Sequence, residues 1–159
     1  MSGAAARDLE RGERIIAASW AANALFAATA IPAALGVSAF DVAAIAVALG
    51  LFAISLGVWT WAFAVALART TRGDDVVVAS MFLIQGPAPR RVRAHLFGSL
   101  AACLVVTAVT AAAEPFGVLV PMLPLGLIGL WGARHGSFPP RRMPGATAGE
   151  RRSSGRAGQ

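Results

Sequence analysis

Lysine and tyrosine are absent from this chain of 159 residues, cysteine occurs once and histidine twice. Each scarcity closes a class of function. With Cys103 alone, an intramolecular disulfide and a cysteine-based zinc site are excluded. The phosphate loop G-x-x-x-x-G-K-[ST] is missing, as are H-E-x-x-H, G-x-S-x-G and C-x-x-C. Charged residues make up 14% of the chain, well under the ~25% of soluble domains, so a membrane class comes first. No acid or base falls at the middle of the long apolar runs. That removes the usual mark of a proton relay or coupled transporter, and weighs less against a passive pore.

What remains is apolar. Hydrophobic residues account for 57% of the sequence, and the mean hydropathy is +0.65. The last run, Phe116 to Ala133, carries no charge and ends at Arg134 and His135. In helical form it reaches about 27 Å, close to the roughly 30 Å hydrocarbon core of a bilayer. Three further runs precede it, at residues 15–36, 42–68 and 96–113. The reading is an all-α, polytopic membrane protein whose four transmembrane helices form a bundle. Residues 1–14 are a polar N-terminal segment, 15–136 the membrane domain, and 137–159 a basic tail whose Arg, Gly, Pro and Ser content predicts disorder. An Ala28-Thr29-Ala30 segment resembles a signal-peptide cleavage site, but the long flank with three acids and the continuing apolar run argue against cleavage.

Charge sets the orientation. All fourteen basic residues are Arg, giving a net charge of +6 and a pI near 11.6. They fall only in residues 1–14, the loop 69–95 and the stretch from Arg134 to Arg156, whereas the two opposite turns carry Asp41 and Glu114. The positive-inside rule then puts both termini in the cytoplasm of a cell with the protein in its inner membrane. Excess Arg facing anionic lipid headgroups accounts for the basic pI without nucleic acid. Trp20, Trp59, Trp61 and Trp131 all fall in the half nearer these arginines, where interfacial anchoring would hold them.

Helices in lipid associate through close packing and hydrogen bonds, because lipid is as apolar as they are. Ala43, Ala46, Gly50, Ala53, Gly57, Thr60 and Ala64 recur at alternating steps of three and four, a seam suited to a tight antiparallel partner. The candidate packing positions are Gly50 and Gly57 on this seam, and Gly126 and Gly129, with Gly132, on the fourth span. Asn23 is placed to hydrogen-bond a neighbouring helix. Pro121 and Pro124 are expected to kink the fourth span and leave carbonyls in need of donors. They either fit a small bundle or line a substrate path.

The loop between spans two and three holds a short apolar segment, Val76 to Ile84, too brief to cross a membrane. Asp75 would cap an interfacial helix there, while Val76-Val77-Val78 keeps a strand open. Met81, Phe82, Arg90, Arg91 and Arg93 are the candidate lipid or partner contacts, each Arg near an anionic surface contributing about 1 kcal/mol. His95 and His135 fall at the same end. A two-histidine site would need Asp74 or Asp75 as third ligand, and solvated interfacial histidines are the simpler reading, so no metal or cofactor is expected.

The segments GVLVPMLPLGLIGLWGARHGSFPPR (Gly117 to Arg141) and DDVVVASMFLIQGPAPRRVRAH (Asp74 to His95) carry a likeness. Through them the chain resembles a group of small, Ala-rich, four-span integral membrane proteins of actinobacteria. The likeness covers roughly residues 74–141, and the first two spans match in pattern only. It implies a host lineage and the four-span topology, and it brings no catalytic or binding residue. The functional expectation is a non-enzymatic accessory or scaffold component that packs with itself or with a larger membrane complex; a small transporter or channel protomer is the alternative.

Overall fold

A computed structural model of the chain describes residues 3–72, 82 and 89–135, with side chains from Gly12 onward. The loop segment 76–84 apart from Phe82, and the tail 137–159, lie outside the described residues. Four α-helices carry the fold: α1 (Gly3–Ala34), α2 (Asp41–Thr71), α3 (Arg90–Thr110) and α4 (Met122–His135). Short 3-10 turns at Ser38–Phe40 and Pro115–Leu119 join α1 to α2 and α3 to α4. No strand occurs among the described residues. Counting the 3-10 turns, four stretches are long and apolar enough to cross a membrane: Gly12–Ala34, Ser38–Thr71, Arg90–Thr110 and Pro115–His135.

The helix ends differ from the apolar runs for local reasons. α1 starts at Gly3, well before Ile15. Ala, Arg and Glu are strong helix formers, and Glu10 and Arg14 stand one turn apart, so polarity alone does not stop the helix. At its other end Gly36 adopts φ +85°. Val37 N–H then reaches the Pro32 carbonyl and Gly36 N–H reaches that of Ala33, both at 3.0 Å. This paired closure needs a left-handed residue, which glycine supplies without steric cost. α2 has Asp41 in its first turn and Arg69 in its last, charges that complement the helix dipole at both ends. α3 begins at Arg90, directly after Pro89, and not at Leu96.

The fourth span is broken rather than kinked. Pro124 occupies the first turn of α4, where its missing N–H has no intrahelical partner to lose. Pro121 lies between the end of the 3-10 turn at Leu119 and the start of the helix at Met122. The carbonyl it would have served in a continuous helix, that of Gly117, accepts Val120 N–H at 3.1 Å and the Thr107 hydroxyl at 3.3 Å. Leu123 N–H takes the Val120 carbonyl at 2.9 Å. The expected loose carbonyls are thus satisfied locally, partly by a side chain of α3.

Around the bundle the order is α1, α2, α4, α3, with α1 and α4 also touching across the short diagonal. α2 packs most extensively on α4, and α1 packs on both α2 and α3. Burial is uneven. In the most apolar window of the fourth span 67% of residues are buried, against 22–28% in the other three. From Gly126 to Ala133 every residue of α4 is buried. The core around it includes Phe26, Leu96, Val120 and Ile128, all with no exposure. The last helix is the axis on which the other three lean.

Hydrogen bonds tie α1 to α3 on the other side. Ser19 and Ser99 share a hydroxyl bond of 2.6 Å, and Asn23 Nδ2 donates to the Ser99 carbonyl at 2.6 Å. The interhelical role expected of Asn23 is the one it has. Ser99 also donates to the Leu96 carbonyl at 3.0 Å, so its hydroxyl serves both helices.

Candidate functional site: an exposed small-residue face on α2

The face that α2 turns to the bundle carries Ala44, Ala48, Leu51, Ser55, Ala62 and Ala66. The seam picked out in the sequence is a different face. Ala46, Gly50, Ala53, Gly57, Thr60 and Ala64 are all exposed, and Ala43 is half-buried. At about 100° per residue the two sets lie almost diametrically opposite. A Cβ built on Gly50 or Gly57 would meet nothing within 4 Å. These two glycines therefore make no close helix contact among the described residues, whereas Leu51 and Ser55 are buried on the opposite face. Thr60 returns its hydroxyl to the Leu56 carbonyl at 2.8 Å and leaves no bulk standing on the seam.

Large exposed side chains flank it. By the helical repeat, Ile54 and Trp61 rise on one side, and Leu49, Leu56 and Phe63 on the other. The floor between these two ridges is made of glycine, alanine and threonine. Such a surface admits a second helix at close backbone distance. In a bilayer it would otherwise be filled by lipid chains.

Gly126 is used in the opposite manner. A Cβ there would stand 2.9 Å from the Trp59 ring and 3.3 Å from Val58 Cγ1. Glycine lets the indole come close to α4, where Nε1 donates to the Met122 carbonyl at 3.0 Å. Trp59 also meets Phe63 at 5.6 Å and Phe82 at 5.8 Å between ring centroids. Gly129 and Gly132 are buried on the same helix. Phe82 is half-buried against the core, whereas Arg90 and Arg91 are exposed and Arg93 half-buried at the start of α3. Met81 lies outside the described residues.

The tryptophans do not form one belt. Trp20 and Trp61 are exposed, but Trp59 is half-buried and Trp131 buried. Trp131 is thus enclosed by the bundle instead of standing at its surface, and Trp59 is partly enclosed beside Gly126. Trp131 lies close to Gly12 and stacks on His135 at 5.0 Å. Nearby, Arg134 sits over the Trp61 ring at 4.8 Å, a cation–π contact. Arg69 donates to the Arg134 carbonyl at 3.0 Å, capping the negative end of α4 from α2. His95 is exposed. Among the described residues no group of three or more His, Cys, Asp or Glu side chains is placed to hold a metal ion.

At the other end of the bundle Asp41 opens α2 and Glu114 closes the turn after α3. Glu114 stands in the turn between two spans, yet it is only 3% exposed. Burial raises its pKa above the ordinary carboxylate value; the nearby Asp41 adds to the rise, and Phe116 N–H, donating to the carboxylate, opposes it. The pairing Glu114-Pro115 between two apolar runs was the available signal, but it does not say which way the side chain folds.

Comparison with protein-family models, with curated proteins and with solved structures gives no match.

Proposed function

We propose that this chain is a non-enzymatic scaffold or accessory component of a cell membrane, associating through the outer face of α2 with a second copy or a larger membrane complex. The observation that carries this reading is the exposed seam around Gly50 and Gly57, open on a helix whose opposite face already fills the bundle. Close approach of two backbones is what small residues make possible in lipid, where apolar burial offers no driving force. The same reading places both termini on the cytoplasmic side of the inner membrane, because every Arg falls at one end. Arg90, Arg91 and Arg93 then face anionic headgroups. The resemblance to the actinobacterial four-span group belongs to this proposal as its expected lineage.

The broken fourth span favours a second reading, a transporter or channel protomer, since discontinuous helices line paths in some transporters. Against it, Thr107, Val120 and Leu123 already occupy the carbonyls that such a path would offer. Extraction of the native assembly in lipid-preserving particles, followed by mass spectrometry, separates the cases. A foreign subunit at fixed stoichiometry, or a homo-oligomer without substrate flux, supports the scaffold. A single chain without partners, or flux in proteoliposomes that disappears in Pro121→Ala, removes it.

A further inference from the structure

Glu114 has few of the partners that a carboxylate requires. An ionised carboxylate offers about four acceptor positions, normally filled by water or by several donors. Here one N–H, that of Phe116, reaches the group. Oε1 is buried without a hydrogen-bond partner. The backbone of Glu114 is fixed at both ends of the peptide unit. Its own N–H bonds the Thr110 carbonyl at 2.8 Å, and its carbonyl accepts Gly117 N–H at 3.1 Å. Its Cγ lies 3.9 Å from where a Cβ of Gly117 would be, and that position is itself blocked by the Phe26 ring at 2.9 Å.

The groups facing it are few. Phe26 comes from α1, Thr110 from α3, Phe116 and Gly117 from the 3-10 turn, and Asp41 from α2. Asp41 is the other charged side chain among the described residues at this end, and it has the same sign. No Arg is there to pair with either acid. A neutral acid suits this environment, because burying an unpaired charge costs far more than burying a hydroxyl.

We propose that Glu114 is a proton-binding group that latches this end of the bundle: neutral, it folds under the turn and holds Pro115–Leu119 against α2 and α3; ionised, it moves out to water and releases that segment. The proton passes between the carboxyl oxygen and water, with no other bond made or broken. Asp41 sets the pH of release through like-charge repulsion. The loosened segment is the 3-10 turn that leads into Pro121 and α4, so the latch acts on the entry to the central helix. This inference is independent of the association face on α2.

The test uses the full chain in particles of zwitterionic lipid, whose headgroups carry no titrating net charge, with Cys103→Ala and a nitroxide on Val118→Cys. Val118 is exposed on the 3-10 turn, so a label there leaves the latch intact. Spectral mobility is followed between about pH 4 and about pH 9, a range that spans ordinary and raised carboxyl titrations. The expected result is a sigmoidal gain in mobility as pH rises. That transition is lost in Glu114→Gln, which stays immobile throughout, and moves to lower pH in Asp41→Asn. A flat wild-type profile, a transition that survives Glu114→Gln, or a midpoint indifferent to Asp41→Asn overturns the proposal.

Discussion

On α4, a Cβ at Gly126 would press within 2.9 Å of an indole that is hydrogen-bonded in place; on α2, a Cβ at Gly50 or Gly57 would meet no described residue within 4 Å. Both helices present small residues at helical spacing, and from the sequence both read as packing surfaces. The fold spends one set internally and leaves the other outside. The difference arises from the rest of each helix. α4 is short, preceded by the break at Pro121 and apolar on every face up to Ala133, so its neighbours can surround it. α2 is 31 residues long, about 46 Å, and meets the bundle with a separate stripe of Ala, Leu and Ser. A small-residue seam therefore reports a surface capable of close approach, and only the remaining faces decide whether the approach is within the chain.

The sharpest way to break the comparison is to add one methyl group to each side of it. Gly126→Ala should destabilise the monomer by about 1–3 kcal/mol, the usual cost of overpacking, because Trp59 must leave the Met122 carbonyl to make room. Denaturant titration of the monomer in micelles checks this, and loss of the Trp59 hydrogen bond should change its fluorescence. Gly36→Ala, at the left-handed closure of α1, should cost about 1–2 kcal/mol in the same assay, with α3 and α4 packing unchanged. Trp59→Phe keeps an aromatic ring, gives up part of the indole's bulk and removes the donor. It should cost about 0.6–1.7 kcal/mol, the range of hydrogen bonds between membrane helices. Smallest of all, Gly50→Leu together with Gly57→Leu should lower monomer stability by no more than about 0.5 kcal/mol, as for surface changes that touch nothing.

Much of the fold is legible in composition and periodicity. Four uncharged runs, bounded by Arg at one end and by acids at the other, give the four helices, and Asn23 gives the bond from α1 to α3. What sequence leaves open depends on partners far along the chain. The burial of Glu114 shows only once the turn closes over Phe26. Trp131 looks interfacial because tryptophan usually is, and it takes Gly12 to show that there is room for it inside. Pro121 and Pro124 announce disruption without saying whether the span bends or breaks. Their spacing of three residues allows Pro124 into a first helical turn, and the break follows. The seam on α2 is visible as a pattern, but its partner is not a property of this chain alone.

The measurement that tests the central claim most directly is the size of the assembly in native lipid particles, compared between wild type and the Gly50→Leu, Gly57→Leu double variant. A wild-type particle holding more than one chain, or this chain with a larger complex, that falls to a single folded chain in the variant is the result predicted. Equal sizes for the two would contradict it, and the outer face of α2 would then be a lipid contact.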